Sequence, residues 1–430
     1  MNGRDTNRDR QAFGVVTAVF FMWGFITALN DVLVPHLKSM FSLDYTQVML
    51  VQFCYFGAYF LISLPAGKVV STLGFKLSIV VGLGVTGLGA LGFLPAAELR
   101  SYPAFLSALF VLASGITLLQ VAANPYVSLL GPPAGASSRL NLSQAFNSLG
   151  TTLAPKFGGI LILSATVLTP VALAQLPASQ QLAYQIQQAK SVELPYIGIA
   201  VTLFLLALVV YLFHLPAVEE QVSGDEGEHP FRDVLRHRHL SFAIVGIFLY
   251  VGAEVSIGSF MINYISLPSI GDMPEARAAG YVSLYWGGAM IGRFIGAALL
   301  QRIDSRKLLA VFAAVAALLV LTTMLSAGML AVASVVAIGL FNSIMFPTIF
   351  TLGIEGLGPL TGRGSSLLVM AIVGGAILPV AQGALADTFG LHHAFVLPFL
   401  CYLYILFYAL SGSRHLSSDD ADTPTVRAHD

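Results

Sequence analysis

The sequence predicts an all-α integral membrane protein with twelve transmembrane helices arranged as two pseudo-symmetric six-helix bundles. Of its 430 residues, 56% are hydrophobic and only 10% are charged, against roughly 25% charged in an average soluble domain. Apolar stretches long enough to cross a bilayer recur twelve times, and a pattern of glycine and proline repeats between the two halves. Lipid is therefore the expected solvent of this chain, and a lipid bilayer its expected partner.

Each predicted helix corresponds to a stretch of about 20 apolar residues, the length that crosses the hydrocarbon core. Backbone groups must satisfy their own hydrogen bonds in lipid, so each stretch is expected to be helical. The first stretch follows a polar start without a cleavage site, which predicts a retained helix and not a signal peptide. The predicted spans are 12–36, 47–70, 77–97, 103–130, 140–165, 194–215, 240–266, 277–301, 306–327, 329–354, 364–386 and 391–412.

Charged segments set the predicted domain boundaries. The stretch 216–239 is rich in charge and contains Gly and Pro, which is typical of a solvated linker. The segment 172–193 is the other sizeable loop, with room for a short surface helix. The predicted parts are a cytoplasmic N-terminal tail (1–11), a six-helix bundle (12–215) and a cytoplasmic linker (216–239). A second six-helix bundle (240–412) and a disordered cytoplasmic tail (413–430) follow.

The distribution of positive charge predicts the orientation. With an even number of spans both termini lie on one side, and 15 of the 21 lysines and arginines fall on that side. Four fall on the other side, namely Lys38, Arg100, Lys190 and Arg277, while Lys156 and Arg293 lie within spans. Since positive residues favour the cytoplasmic side, we expect a multi-pass protein of the cytoplasmic (inner) membrane with both termini in the cytoplasm.

The two halves of the chain carry an internal duplication. Arg139, Gly150, Pro155 and Gly159 in the fifth span are followed 224 positions later by Arg363, Gly374, Pro379 and Gly383 in the eleventh span. The string 55–57 (YFG) in the second span has a counterpart at 285–287 (YWG) in the eighth. Repeated halves predict a central cavity at their interface, which is the geometry of alternating access.

Asp31 is the first candidate for chemistry, because a charge inside a span is costly and usually faces a cavity or a partner. A carboxylate in such a cavity can bind and release a proton near neutral pH, so Asp31 is predicted to couple a cation to transport. Asn30, directly before it, is a predicted substrate-binding amide. The alternative is that Asp31 is a helix-end residue at the far interface, near Pro35, His36 and Lys38.

Amide side chains on two neighbouring spans form two further groups of predicted binding residues. Gln120 and Asn124 lie four residues apart, on one face of the fourth span. Asn141, Gln144 and Asn147 recur every three residues along the fifth, where Asn141 is expected to be structural and the other two to bind substrate. Amides offer donors and acceptors together, which suits sugar hydroxyls. The alternative is polar contact between helices, worth roughly 0.6 kcal/mol each.

The seventh, eighth and tenth spans supply the remaining candidates. Glu254 and Arg293 lie inside neighbouring spans and are predicted to form a buried ion pair, since pairing is the least costly way to bury either charge. Glu254 is also a candidate for substrate binding and for proton coupling. Trp286 is predicted to stack on the apolar face of a pyranose, and Asn342 to bind substrate through its amide.

Several other functions are excluded by what the sequence lacks. Cys54 and Cys401 each lie in an apolar run, so neither a disulfide framework nor a metal site is expected. No phosphate-binding loop of the GxxxxGK[ST] kind occurs, which argues against ATP hydrolysis. No basic stripe suggests nucleic acid, and no catalytic constellation suggests an enzyme. We expect no catalytic residue and no cofactor beyond the coupled cation.

The sequence resembles the major facilitator superfamily. The loop 67–76 (GKVVSTLGFK) is similar to the superfamily's short glycine- and cation-bearing loop, although it lacks the usual acidic residue, and 301–307 (QRIDSRK) echoes it. A closer resemblance, over about 12–412, is to the fucose–galactose–glucose:proton symporter family. It is carried by 23–31 (WGFITALND), 120–126 (QVAANPY), 141–150 (NLSQAFNSLG) and 252–258 (GAEVSIG).

This resemblance implies a major facilitator fold, a monomer by the superfamily norm, and a hexose-type substrate carried with a proton. It implies that Asp31 matches the family's proton-handling carboxylate and that Gln144 and Asn147 face the sugar. Gln120 stands where the fucose symporter has a glutamate, as in glucose/galactose-type members. That difference favours glucose, galactose or an amino sugar such as N-acetylglucosamine over fucose.

The leading hypothesis is therefore a secondary active importer of a hexose-type sugar by proton symport through alternating access, with Asp31 as the proton carrier. Sodium coupling and a fucose-type substrate are the open alternatives. An exporter or antiporter of another small solute would need a large apolar cavity without an amide stripe, which the fourth and fifth spans argue against. A membrane receptor or enzyme would need a soluble signalling domain or a catalytic site, and the sequence indicates neither.

Overall fold

The computed structural model describes residues 3–41, 45–99, 101–161, 175–216 and 231–414, and every regular element within those ranges is a helix. In the first half, α1 spans Gly3–Phe41. The helical run Tyr45–Glu98 is broken at Gly74, where φ is 73° and ψ is 171°, so it divides into α2 (45–73) and α3 (75–98). The half continues with α4 (Tyr102–Leu129), α5 (Ala136–Leu161) and α6 (Ala178–Leu212).

The second half repeats the pattern with six more helical passages. They are α7 (Arg238–Ile265), α8 (Glu275–Leu299), α9 (Ser305–Leu325), α10 (Gly328–Ile354), α11 (Gly358–Phe389) and α12 (Leu391–Gly412). Three of them are locally irregular: α10 is interrupted after Asn342, α11 contains the 3₁₀ turn Ala371–Val373, and α12 ends in the π-helical turn Tyr408–Gly412. A four-residue helix, Phe231–Val234, precedes α7.

The prediction of twelve transmembrane helices is confirmed. Within the described ranges, ten helical stretches are long and apolar enough to cross a membrane, and one of them, Leu50–Glu98, contains both α2 and α3. The remaining helix, α5, is 26 residues long but is not among the ten, because its amides and hydroxyls lower its hydropathy. Two helices are longer than expected: α1 includes residues 3–11, and α6 includes much of the predicted loop 172–193.

The internal duplication is visible in how the helices pack. A Cβ atom on Gly150 of α5 would collide with the carbonyl oxygen of Phe21 in α1, and one on Gly374 of α11 would collide with that of Phe248 in α7. The two glycines are 224 positions apart and the two phenylalanines 227. The same close approach of two backbones, which only glycine permits, is therefore built in both halves.

The two bundles meet through two equivalent helix pairs. α2 packs against α11, and α5 packs against α8. Since the duplication relates α2 to α8 and α5 to α11, it converts one pair into the other. Phe56 of α2 lies against Gly375 of α11, and the ring centroids of Phe146 in α5 and Phe294 in α8 are 5.9 Å apart. The interface therefore has the pseudo-two-fold symmetry that the sequence repeat predicts.

Hydrogen bonds join the bundles on the side where α1 begins and α12 ends. Ser137 Oγ, at the start of α5, lies 2.6 Å from Thr351 Oγ1, near the end of α10. Ser138 Oγ donates to the carbonyl oxygen of Ala297 in α8 at 2.7 Å, and Ser365 Oγ of α11 donates to that of Val121 in α4 at 2.9 Å. Three direct hydrogen bonds therefore link the two bundles on this side.

Candidate functional site

A cavity of about 180 Å³ lies between the two bundles. That is more than ten times the roughly 10–15 Å³ that one water molecule needs, so the cavity has room for a small solute. Both halves of the chain contribute to its wall. The lining residues are Trp23, Thr27, Tyr55, Phe56, Tyr59, Gln120 and Gln144 from the first bundle, and Tyr250, Val251, Glu254, Arg293, Phe346 and Ile372 from the second.

A chain of hydrogen bonds forms the polar wall of the first bundle. Gln120 Nε2 in α4 donates to the Tyr59 hydroxyl in α2 at 2.6 Å, and that hydroxyl donates to the Tyr55 hydroxyl at 3.4 Å. The Tyr55 hydroxyl lies 2.9 Å from Thr27 Oγ1 in α1. All four residues line the cavity. Gln120 is therefore at the predicted site, and its amide nitrogen is held by a tyrosine.

The amides of α4 and α5 are divided between the cavity wall and the support behind it. Gln144 lines the cavity, and its Nε2 donates to Asn124 Oδ1 at 3.4 Å. Asn124 is fully buried behind Gln144 and is not part of the lining. Asn147 Nδ2 donates to the carbonyl oxygen of Phe20 in α1 at 2.9 Å. Of these three predicted binding residues, the structure places Gln144 at the cavity and gives the other two contacts between helices.

Glu254 carries the negative charge of the cavity wall. Its side chain is 91% buried, and its Oε1 has no hydrogen-bond partner among the described residues. Its carboxylate lies beside Tyr250, which is four residues earlier on the same face of α7. A buried acceptor without a partner is costly, so Glu254 is suited to receive a hydrogen bond from a ligand in the cavity.

Arg293 carries the positive charge, but it does not form the predicted ion pair with Glu254. Among the described side chains, the ion pairs within 4.0 Å are Arg236–Asp233 and Arg306–Glu355. Arg293 instead donates to Ser148 Oγ in α5 and, at 3.3 Å, to the carbonyl oxygen of Ser343 in α10. The Ser148 contact draws the guanidinium towards the other bundle, so both charges line the cavity without a direct bond.

Asn342 and Trp286 lie away from the cavity lining. Asn342 is fully buried; its Nδ2 donates to the Tyr285 hydroxyl and its Oδ1 accepts from the Tyr402 hydroxyl, both at 2.7 Å. Its amide is thus used in joining helices. Trp286 is 43% exposed and lies against Gly258, two helical turns from Arg293 on α8. In this structure neither residue is placed to contact a solute in the cavity.

Asn30 and Asp31 lie in α1, but their side chains are outside the part of the chain that the structure describes. Their backbone position relative to the cavity follows from the helix. Asp31 comes four residues, or about one helical turn, after Thr27, which lines the cavity. The predicted roles of Asn30 and Asp31 therefore stay predictions.

The aromatic half of the cavity wall was not predicted from the sequence. Trp23, Tyr59 and Tyr250 line the cavity, and none of them was proposed as a binding residue. A usable signal exists in the spacing of these residues: Trp23 and Thr27, Tyr55 and Tyr59, and Tyr250 and Glu254 are each four residues apart. Polar or amphipathic side chains at this spacing share one face of an otherwise apolar helix, which indicates a wall of a polar cavity.

This arrangement suits a neutral ligand with many hydroxyl groups. Amides and hydroxyls supply donors and acceptors together, and aromatic rings supply flat apolar surfaces. The two opposite charges balance across the cavity, so the wall has no net preference for a charged ligand. Among the described residues, no group of three or more His, Cys, Asp or Glu side chains could hold a metal ion.

Comparisons with known proteins agree with this geometry. A family model described as Major Facilitator Superfamily matches residues 12–372. The chain is 52% identical over 401 residues to a protein of Brucella abortus named glucose/galactose transporter, with 93% of each chain covered. It is 36% identical over 412 residues to the L-fucose-proton symporter of Escherichia coli, covering 94% of this chain and 93% of the relative.

The fold comparison gives the same result. A solved major facilitator transporter, FucP, in the outward conformation superposes with a TM-score of 0.88. The two chains are 36% identical, and the match covers 94% of this chain and 99% of the other. The helices, their order and their arrangement in two bundles are therefore shared over almost the whole length.

Proposed function

Because this chain belongs to the Major Facilitator Superfamily and, within it, to the fucose–galactose–glucose:proton symporter family, we propose that it imports a hexose-type sugar together with a proton. Glucose and galactose are the proposed substrates, with N-acetylglucosamine as the next candidate. The observation that carries this proposal is the cavity between the bundles, whose wall combines amides, hydroxyls and aromatic rings. Transport without catalysis or a bound cofactor, by a monomer, is part of the proposal.

Asp31 is the proposed proton carrier. It lies one turn beyond Thr27 on α1, so a proton on Asp31 and a sugar in the cavity would be bound close together along the same helix. If both the proton and the sugar must bind before the two bundles move relative to each other, the downhill entry of the proton drives the uptake of the sugar. Glu254 is the proposed second acid, because it lines the same cavity and its Oε1 has no hydrogen-bond partner among the described residues.

The proposed orientation places both termini in the cytoplasm, in keeping with the excess of positive charge on that side. With this orientation, the contacts between α5 and α10 and between α4 and α11 close the cytoplasmic side. The structure then corresponds to an outward-facing state, in which the cavity receives sugar from outside. The likeness to a relative in the outward conformation supports this assignment.

Gln120 bears on the two alternatives of a fucose substrate and sodium coupling. An amide at this position donates to Tyr59, whereas a glutamate could only accept from it when ionised. A neutral wall at this point is consistent with the glucose/galactose-type relative at 52% identity. Sodium is the less favoured ion, since the described cavity wall offers a single carboxylate among mostly neutral groups.

Counterflow in proteoliposomes tests this proposal. Vesicles loaded with unlabelled glucose, galactose, N-acetylglucosamine or fucose are diluted into labelled sugar, with and without an imposed pH gradient or sodium gradient. We expect glucose or galactose to exchange and to accumulate when the vesicle interior is alkaline. Exchange of none of these sugars would refute the proposed substrate class, and accumulation driven only by sodium would refute proton coupling.

A further inference from the structure

The tyrosines of α2 join three helices of the cavity wall through hydrogen bonds. A tyrosine hydroxyl donates one hydrogen bond and accepts up to two. The Tyr59 hydroxyl accepts from Gln120 Nε2 and donates to the Tyr55 hydroxyl. The Tyr55 hydroxyl in turn lies 2.9 Å from Thr27 Oγ1. A continuous series of hydrogen bonds therefore links α4 through α2 to α1.

The second bundle contains the counterpart of this chain. Asn342 Nδ2 in α10 donates to the Tyr285 hydroxyl in α8, and that hydroxyl donates to the backbone oxygen of Glu254 in α7 at 3.3 Å. The duplication relates α4, α2 and α1 to α10, α8 and α7. Glu254 follows Thr27 by 227 positions, the same separation as Phe248 from Phe21. In both bundles, therefore, hydrogen bonds link an amide through tyrosine hydroxyl groups to the first helix of the bundle. Thr27 and Glu254, where these bonds end, are equivalent positions of those two helices.

The two chains differ in their access to the cavity. Asn342 and Tyr285 are fully buried, and the amide of Asn342 is bonded at both its nitrogen and its oxygen. Gln120, Tyr59, Tyr55 and Thr27 all line the cavity. A solute can therefore compete for the donors of the hydrogen-bond series in the first bundle. In the second bundle, Asn342 and Tyr285 are not part of the cavity lining, and their hydrogen bonds serve to hold the helices together.

We propose that Tyr59 and Tyr55 are positioning residues that link occupancy of Gln120 by the substrate to the segment of α1 that carries Asp31. A sugar hydroxyl that takes the Gln120 N–H group now bonded to Tyr59 removes one of the hydrogen bonds that orient the Tyr59 hydroxyl. Tyr59 then reorients its own donor, and the Tyr55–Thr27 contact changes one helical turn from Asp31. This inference rests on the proposed sugar–proton symport and assigns residues through which its two ligands are coupled.

Tyr55→Phe and Tyr59→Phe test the proposal, since each variant removes a hydroxyl and keeps the ring. Tyr402→Phe is the matched control, because it removes a 2.7 Å hydrogen bond between a tyrosine and an amide in the second bundle. The measurement is the ratio of gradient-driven accumulation to counterflow of labelled glucose or galactose, whichever the wild type carries. All proteins are first checked for a monodisperse, folded state in detergent.

For Tyr55→Phe we expect accumulation to fall at least about 10-fold while counterflow stays within about 3-fold of wild type, and for Tyr402→Phe we expect the ratio to be unchanged. A ratio unchanged in both α2 variants would overturn the inference. So would an equal fall of accumulation and counterflow in both, since the tyrosines would then only bind sugar. Failure of the proposed function is distinct, because the wild type itself would then show no sugar counterflow or no response to the pH gradient.

Discussion

Accumulation of sugar against a gradient is expected to be lost when Asp31 is replaced with asparagine. The amide keeps the size of the carboxyl side chain and can still form hydrogen bonds, but it cannot bind and release a proton. The sugar inside proteoliposomes should then rise only to the concentration outside, even with an alkaline interior. Counterflow, which needs no net proton movement, should be retained at least in part. Uptake of labelled sugar with and without an imposed pH gradient measures both quantities.

Asp387→Asn is the control for this experiment. Asp387 lies near the end of α11 and is exposed, so removal of its charge should leave accumulation unchanged. Concentrative uptake by Asp31→Asn at the wild-type level would contradict the role of Asp31 as the proton carrier. Glu254, the proposed second acid, would then be the candidate proton carrier.

A disulfide between positions 137 and 351 is expected to arrest transport. The side-chain oxygens of Ser137 and Thr351 are 2.6 Å apart, so cysteines at both positions can come within disulfide distance. The bond would hold α5 to α10 on the side of the termini and prevent the bundles from opening there. Oxidised Ser137→Cys/Thr351→Cys protein should lose counterflow to the level of empty liposomes, and reduction should restore it.

The cross-link needs a background in which Cys54 and Cys401 are replaced with alanine, so that the new pair alone can oxidise. Each single cysteine variant serves as a control and should transport equally under oxidising and reducing conditions. The oxidised double variant should still bind sugar in detergent, because Ser137 and Thr351 are not part of the cavity lining. Full counterflow after complete cross-linking would contradict the view that this contact must open during transport.

The fold could be predicted from the sequence almost completely, because it depends on features that repeat. Apolar stretches of span length predict each helix, and the matched glycines at 150 and 374 predict two related halves with a cavity between them. The helix ends were less accurate. Residues 3–11 and much of 172–193 are polar, so hydropathy gives no signal that α1 and α6 extend through them.

The site was predicted in part, because composition shows which polar residues lie in spans but not which way they face. Gln120, Gln144, Glu254 and Arg293 do line the cavity. Asn342 has the same amide chemistry, but Tyr285 and Tyr402 take up its donor and acceptor, and those contacts join residues far apart in the sequence. The absence of a direct bond between Glu254 and Arg293 was likewise not predictable, since Ser148 competes for Arg293 from the other bundle.

The most direct test of the account is equilibrium binding of labelled sugar to variants of both bundles. Gln144→Ala removes an amide from the first bundle's wall, and Glu254→Gln removes the charge from the second; Gln301→Ala, at an exposed amide, is the control. If one cavity between the bundles holds the sugar, each wall variant should weaken binding by about 10-fold, which corresponds to about 1.4 kcal/mol, and the control should not. Wild-type affinity in both wall variants would contradict a shared sugar site between the two bundles.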